Sequence, residues 1–201
     1  MPDHFALLDE PRRPWLEADL LKQKFLAHSA NLHPDKIHSA SEAVKKAAAK
    51  KFAELNAAYN CLLEPKSRLL HLLELELGAK PKDIQQIPVA LADLFAEVAT
   101  TCRAADDFFT EKSKVTSPLV QVQIFERGQE WVEKLTALQQ KLTALRGQLM
   151  DRLKSLDEKW GSADAGLRRE ILPQLEELYR LFGYFNRWNS QIQERVVQLS
   201  L

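Results

Sequence analysis

The densest group of chemically versatile side chains in the sequence is the tetrapeptide His33, Pro34, Asp35 and Lys36. A histidine and a carboxylate this close together suit an acid–base pair or two ligands of a metal ion. No third ligand follows at helical i, i+4 spacing and no pair of carboxylates is near, so we expect neither a catalytic site nor a metal site. The residue types alone favour a solvated turn, in which Asp35 accepts backbone N–H groups and Pro34 stiffens the chain.

Two amphipathic helices are expected to hold this tetrapeptide between them. Apolar side chains, with His28 among them, recur every three or four residues over 21–32, and apolar side chains do so again over 44–62. This is the spacing of one helix face. Pro34 disfavours helix at the residue before it. Ser39 and Glu42 form the Ser-x-x-Glu pattern that caps a new helix. The sequence therefore predicts an antiparallel helical hairpin with a polar tip.

The fold class predicted for the whole chain is all-α. Only 6 glycines occur in 201 residues, and runs of β-branched residues are scarce. Short helices are expected at Phe5 to Leu8 and from Pro65 to Gly78, on either side of the hairpin. Residues 120–125 read VQVQIF, an alternation typical of a strand. A lone strand among helices has no partner for its backbone hydrogen bonds, so we predict the start of a helix there.

Three segments are predicted from the spacing of prolines, glycines and leucines. Residues 1–78 form the first domain, residues 79–87 a linker that holds Pro81, and residues 88–201 a three-helix bundle with coiled-coil-like packing. Glycine at position 78 is a suitable helix stop before the linker.

The bundle is predicted from apolar residues that repeat at alternating spacings of three and four over 135–149, 171–185 and 192–199. The short connector GSADAG at 161–166 folds the two long runs back on each other, and the helix at 88–112 is the third member. The five large aromatic residues on or beside these runs are predicted to be core. They are Trp131, Trp160, Phe182, Phe185 and Trp188. A heptad pattern does not say whether the partner helix lies in the same chain, so a dimer through the leucine stripes is an open alternative.

Composition excludes several classes of function. The 28 Lys and Arg balance 28 Asp and Glu, and the lysine-rich run 45–51 is short, so we expect no nucleic-acid partner. No apolar run reaches the roughly 20 residues that cross a bilayer, and no signal sequence opens the chain, so we expect no membrane association and a cytoplasmic protein. Cys61 and Cys102 stand 41 positions apart, which suits neither a zinc ribbon nor a disulfide scaffold.

The order of elements around the His-Pro-Asp-Lys tetrapeptide resembles the J-domain, by which DnaJ-like co-chaperones engage DnaK-type ATPase chaperones. HFALLDEP at 4–11 resembles the opening helix of that family, and NAAYNCLLEPKSRLLHLLELELG at 56–78 resembles the segment after the hairpin. The second stretch is similar to HscB, the J-protein of iron–sulfur cluster assembly, which also carries a C-terminal three-helix bundle. The residues that carry this similarity are Asn56, Ala58, Tyr59, Leu62, Pro65, Arg68 and Gly78.

The resemblance implies a co-chaperone that is not an enzyme and needs no cofactor or metal. It implies that the tip contacts the nucleotide-binding domain of a DnaK/HscA-type chaperone and favours the conformer that hydrolyses ATP. The residues expected to bind the chaperone are His33, Pro34, Asp35, Lys36, Lys22, Lys24, Lys45 and Lys46.

A client surface is implied at the start of the bundle, where HscB presents a motif to the iron–sulfur cluster scaffold. The matching stretch here reads VALADLFAEV, and the residues expected to bind a client, the scaffold or another protein, are Leu91, Leu94, Phe95 and Glu97.

One departure from the family pattern motivates an alternative function. J-domains usually display Lys and Arg along the helix before the tip, whereas this chain has Ala27, Ser29, Ala30 and Asn31. The alternative is a helical adaptor whose J-like hairpin only docks.

Overall fold

A computed structural model describes residues 2–30, 32, 41–81 and 88–200. Within these ranges all regular structure is helical, so the all-α prediction is confirmed. The predicted tip, residues 33–36, lies outside the described residues. Over the described ranges, no helix is both long and apolar enough to cross a membrane.

Seven α-helices follow one another along the described ranges. They are α1 (His4–Leu7), α2 (Ala18–Ser29), α3 (Glu42–Leu63), α4 (Pro65–Leu77), α5 (Ala92–Lys112), α6 (Pro118–Ser162) and α7 (Ala165–Ser200). A short 3-10 turn at Val89–Leu91 precedes α5. Residues 120–125 are helical, as predicted, because they belong to the first turns of α6.

Two predicted details are wrong. Ser41 caps α3 in place of Ser39: its backbone is extended, at φ −64° and ψ 156°, and its side chain accepts a hydrogen bond from the N–H of Val44. The connector between α6 and α7 is shorter than the predicted GSADAG segment, because α6 continues to Ser162 and α7 begins at Ala165. Asp164 caps α7 by accepting a hydrogen bond of 2.8 Å from the N–H of Leu167.

The chain forms two compact units. The first unit comprises Met1–Lys82 and Met150–Phe182, and the second comprises Asp83–Leu149 and Gly183–Leu201. The long helices α6 and α7 therefore contribute residues to both units. Since this division describes packing, the domain boundaries at 78 and 87 stay a prediction.

Helix α3 is the centre of the N-terminal part of the first unit, because α1, α2 and α4 all pack against it. Phe25 on α2 stacks on Tyr59 of α3 with ring centroids 4.6 Å apart, so the two helices pack together as the predicted hairpin requires. The apolar side chains that fill this core are at most 2% exposed. They include Phe5, Leu8, Leu21, Leu55, Leu62, Leu69, Leu72 and Leu73.

A segment between α1 and α2, residues 12–15, is fastened to the C-terminal part of α6. Asp157 accepts hydrogen bonds of 3.1 Å from the Nε of Arg13 and the backbone N–H of Trp15. The indole Nε1 of Trp160 donates to the carbonyl of Arg12 at 2.9 Å. Asp157 is only 5% exposed and Trp160 only 1%. We call residues 12–15 the strap.

The second unit is a three-helix bundle of α5, the N-terminal part of α6 and the C-terminal part of α7. Arg195 on α7 binds the carbonyl of Cys102 and the carboxylate of Asp106 on α5, at 3.2 and 2.6 Å. Gln139 on α6 donates to Gln193 on α7 at 2.9 Å. The predicted three-helix bundle is thus present in this unit.

The leucine stripes are buried within the single chain. Leu135, Leu138, Leu142 and Leu149 are at most 5% exposed, so their partner helices lie in the same molecule and no second chain is needed to cover them. Of the five aromatic residues predicted to be core, Trp131 is half-buried beside Phe108. The other four are at most 8% exposed: Trp160, Phe182, Phe185 and Trp188.

Candidate functional site

The site predicted at the tip is described on its two flanks. On one side α2 ends at Ser29, and the N–H of Leu32 bonds to the carbonyl of Ser29 at 2.9 Å. On the other side α3 begins at Glu42. His33, Pro34, Asp35 and Lys36 fall between these flanks, outside the described residues, so their assignment to chaperone binding stays a prediction.

The two lysines predicted on α2 are in different environments. Lys24 lies 3.0 Å from a carboxylate oxygen of Glu10 and donates a 2.7 Å hydrogen bond to the carbonyl of Asp9. Its charge therefore joins α2 to the segment that follows α1. Lys22 is exposed and forms no ion pair with a described residue. Of the two, Lys22 is the one whose charge is open to a partner.

The lysines of α3 form a largely exposed positive surface in the first three turns of that helix. Lys45 is paired with Glu42 at 3.0 Å. Lys46 and Lys51 are exposed and form no ion pair with a described residue. Lys50 is 80% exposed and its Nζ lies 3.9 Å from Glu54, a separation at which an exposed pair contributes little. We call Lys46, Lys50 and Lys51 the lysine ridge.

A buried arginine holds the opposite end of the hairpin. Arg68 is 2% exposed; its Nε donates to the carbonyl of Pro14 at 2.7 Å and its Nη1 donates to the carbonyl of Leu62 at the end of α3. Burial lowers the pKa of Arg68 to about 10, so the guanidinium is charged at neutral pH. A cation at a helix C-terminus is favourable. Sequence reasoning found Arg68 only as part of the resemblance, because which carbonyls it meets depends on the strap.

A histidine pair lies where α1 meets α4. The N–H of His4 donates to Nε2 of His71 at 3.0 Å, and the two rings stand 4.4 Å apart. Burial lowers the pKa of His71, which is 1% exposed, and the neighbouring His4 lowers it further. Because Nε2 accepts a hydrogen bond, this ring is neutral in the folded protein.

The side chains predicted to bind a client differ in exposure. Leu91 is 8% exposed and Leu94 is half-buried, so these two belong largely to the bundle. Phe95 is 41% exposed, with its ring 6.1 Å from that of Trp188. Glu97 is exposed and paired with Lys141 of α6. Phe95 is therefore the apolar side chain of the four that is most open to a partner.

One residue of this region was missed by sequence reasoning. Val89 is 91% exposed in the 3-10 turn just before α5. Its apolar character was visible in the sequence, but whether it faces inward depends on the geometry of the turn. Its position adds a second exposed apolar group near Phe95 in sequence.

Across the part of the chain that the structure describes, no three His, Cys, Asp or Glu side chains come together as a metal site. His28, which lies near the tip in sequence, has its Nε2 3.0 Å from the carboxylate of Asp9. The described flanks of the tip thus offer exposed cations and apolar groups, which suit recognition of a protein surface.

Comparison with known proteins identifies curated relatives over part of the chain. The chain is 35% identical over 80 residues to the co-chaperone protein HscB homolog of Paraburkholderia xenovorans. The matched stretch covers 38% of this chain and 46% of the relative. The chain is 34% identical over 84 residues to the HscB homolog of Vibrio parahaemolyticus, covering 42% and 48%. The matched stretch thus spans about half the length of these relatives. No family model matches the chain.

Solved structures extend the likeness of fold to nearly the whole chain. The chaperone HscB from Vibrio cholerae superposes with a TM-score of 0.64 at 21% identity, over 98% of this chain and 99% of that one. The human co-chaperone protein HscB gives a TM-score of 0.62 at 17% identity, over 96% and 81%. The predicted resemblance to HscB co-chaperones is confirmed by these comparisons.

Proposed function

We propose that this protein is a J-domain co-chaperone that binds a DnaK/HscA-type ATPase chaperone and stimulates its hydrolysis of ATP. The observation that carries the proposal is the 34 to 38% identity to HscB co-chaperones over 72 to 84 residues. The His-Pro-Asp-Lys tetrapeptide and the packed α2–α3 hairpin that flanks it support the same conclusion. The co-chaperone itself hydrolyses nothing.

The mechanism is coupling by differential binding. One conformer of the chaperone hydrolyses ATP, and the tip, residues 33–36, binds that conformer more tightly than the other. The difference in affinity is required because a ligand with equal affinity for both conformers shifts no population. The lysine ridge and Lys22 attract an acidic surface of the chaperone and speed the encounter. Lys24 and Lys45 contribute less, because Glu10 and Glu42 already compensate their charges.

The second part of the proposal is that the N-terminal end of α5 presents a client, which is an iron–sulfur cluster scaffold or another protein. Phe95 is the anchor, because a half-exposed aromatic side chain gains the most from contact with a partner. Glu97 orients the client when its carboxylate leaves Lys141 and pairs with a group of the client instead. The inward-facing Leu91 and Leu94 shape this end of the bundle.

The experiment that tests the chaperone function is single-turnover ATP hydrolysis by the host's DnaK-type chaperones, alone and with this protein. We expect stimulation by the wild type and its loss in His33→Gln and Asp35→Asn. His38→Gln is the matched control, because it makes the same change five positions later in the same connector and should leave stimulation intact. If no chaperone responds to the wild type, the proposed function is wrong.

The alternative is an adaptor that docks without stimulating ATP hydrolysis. The observation that favours it is that the exposed residues of α2 nearest the tip carry no charge. The two functions differ in a measurable way: an adaptor retains its protein partners after His33→Gln, as assayed by pull-down with the intact chain, whereas a co-chaperone loses its ATPase partner.

A further inference from the structure

The first turns of α6 carry apolar side chains that the bundle leaves open to water. Leu119 is 78% exposed, Val122 60% and Phe125 66%. They are spaced three positions apart, so each lies next to the following one on the surface of the helix. We call these three residues the apolar strip. Adjoining exposed apolar side chains are a mark of an interaction surface.

The geometry of the helix separates the apolar strip from the core. Two residues that are two positions apart in a helix point in nearly opposite directions, so the alternation in VQVQIF turns Val122 outward where it turns Ile124 inward. Ile124 is 5% exposed, and Leu135, further along the same side of α6, is fully buried. The apolar strip therefore contributes little to the bundle, and a partner covers it without rearranging the helices.

An open cavity of about 320 Å³ adjoins the Phe125 end of the strip. The connector before α6, α6 itself and the end of α7 all contribute to it. Its apolar lining comes from Val115, Ile124, Phe125 and Leu199. A cavity of this size has room for an aliphatic side chain, which would gain free energy on leaving water.

The charges before and after the apolar strip are opposite in sign. Lys114, in the connector before α6, is exposed and forms no ion pair with a described residue. Glu126 and Glu130, which follow the strip along α6, are exposed and also have no ion-pair partner among the described residues. Arg127, between them, is compensated by Glu111 at 2.7 Å. The open charge is thus positive before the strip and negative after it.

We propose that the apolar strip is a self-association surface, on which a second copy of this chain lies antiparallel. This inference does not depend on the proposed function. When the two-fold axis passes Val122, Leu119 of each copy lies beside Phe125 and the cavity of the other copy. Lys114 and Glu130 each stand five positions outside the strip, so the same axis brings Lys114 of one copy toward Glu130 of the other. A parallel arrangement would bring like charges together instead.

The test measures the oligomeric state of the intact chain by sedimentation velocity at increasing protein concentration. Because the apolar strip is small, we expect a weak dimer with a Kd on the order of 10 to 100 μM. Leu119→Glu should raise that Kd tenfold or more. Leu20→Glu is the matched control, because Leu20 is 55% exposed in the first turn of α2, and it should associate as the wild type does.

Both leucines lie in the first turn of a helix, where a carboxylate is favourable, so both variants fold; circular dichroism melting verifies this. A wild type that stays monomeric well above the expected Kd would overturn the inference. The same conclusion would follow if Leu119→Glu and the wild type had equal Kd values.

An exchange of charges tests the antiparallel arrangement. Lys114→Glu alone and Glu130→Lys alone should each raise the Kd about threefold at low salt, because each places like charges opposite one another. The double variant carries Lys114→Glu together with Glu130→Lys, which restores the pairing with reversed signs, so its Kd should return to that of the wild type. A double variant that associates no more tightly than the single variants would overturn the antiparallel arrangement.

Discussion

The two ends of the α2–α3 hairpin use charge in opposite ways. At the strap, charged side chains are buried and each is held by several partners, as in the contacts of Asp157 with Arg13 and Trp15 and of Arg68 with two carbonyls. Beside the tip, Lys46 and Lys51 are exposed and form no ion pair with a described residue. One end therefore uses charge to fix the structure, and the other leaves charge open to a partner.

The difference teaches where mutations should affect folding and where they should affect binding. A buried charge that loses its partner destabilises the folded state, because the group left behind cannot recover its hydration. An exposed lysine that is lost changes stability little, since water already screened it. We expect variants at the strap to change the free energy of unfolding, and variants beside the tip to change affinity alone.

The largest effect is expected at Asp157. Asp157→Ala removes the acceptor of Arg13 and leaves the part-buried N–H of Trp15 without a partner, which should lower the free energy of unfolding by about 2.5 kcal/mol. Denaturant unfolding followed by circular dichroism measures it. Asp151→Ala, at an exposed position of the same helix, should change it by less than about 0.5 kcal/mol. Equal stability of the two variants would show that the strap is not fixed by its buried charge.

Arg68→Met should destabilise the protein by about 2 kcal/mol. It leaves the carbonyls of Pro14 and Leu62 without donors, while removing a guanidinium whose burial already lowers its pKa to about 10. Because these two effects oppose each other, Arg68→Met should lower the free energy of unfolding less than Asp157→Ala does. Arg169→Met, at an exposed arginine, is the control for the same chemical change. A gain of stability in Arg68→Met would mean that desolvation of the charge outweighs its hydrogen bonds.

A smaller change in the free energy of unfolding is expected when the pH is lowered. The pKa of His71 in the folded state lies below the ordinary value of 6.5, chiefly because of burial. The unfolded chain therefore binds the proton first. The free energy of unfolding is highest above about pH 6.5 and falls as the pH drops from there through the folded-state pKa. His71→Gln keeps an acceptor for the N–H of His4 and should flatten the fall.

The smallest effect on stability is expected at the lysine ridge. Lys46→Glu should change the free energy of unfolding by less than about 0.5 kcal/mol, yet raise the half-maximal concentration for ATPase stimulation about fivefold at low salt. The difference from the wild type should shrink at high salt, because exposed charges are screened. Lys159→Glu, an exposed lysine near the end of α6, is the control. An effect of Lys46→Glu that is independent of salt would contradict an electrostatic contact.

Much of the fold could be predicted because its signals are local. The spacing of apolar residues from Val44 to Leu62 and from Leu135 to Leu149 fixes helix faces, and Gly78 in the left-handed region at φ 71° ends α4 where predicted. The ends of helices were less predictable. Ser41 and Ser39 both precede α3, and choosing between them requires knowing where the backbone becomes extended.

The candidate site could be found from the sequence only in part. Lys22 and Lys24 are two positions apart and look equivalent in the sequence, but the segment after α1 brings Glu10 to Lys24 alone. Leu91 and Phe95 lie one helical turn apart, yet one is 8% and the other 41% exposed. Such differences depend on which helix passes nearby, and that information is distant in the sequence.

The sequence by itself determined the helices and the resemblance to HscB co-chaperones, because each depends on residues close together along the chain. Only the tertiary structure decided that Asp157 holds the strap, because Arg13 of the strap lies 144 positions before Asp157 in the chain. It also decided that the leucine stripes are covered within one molecule. The physical reason is that a buried polar group must find its partner wherever packing brings one, and periodicity does not specify that place.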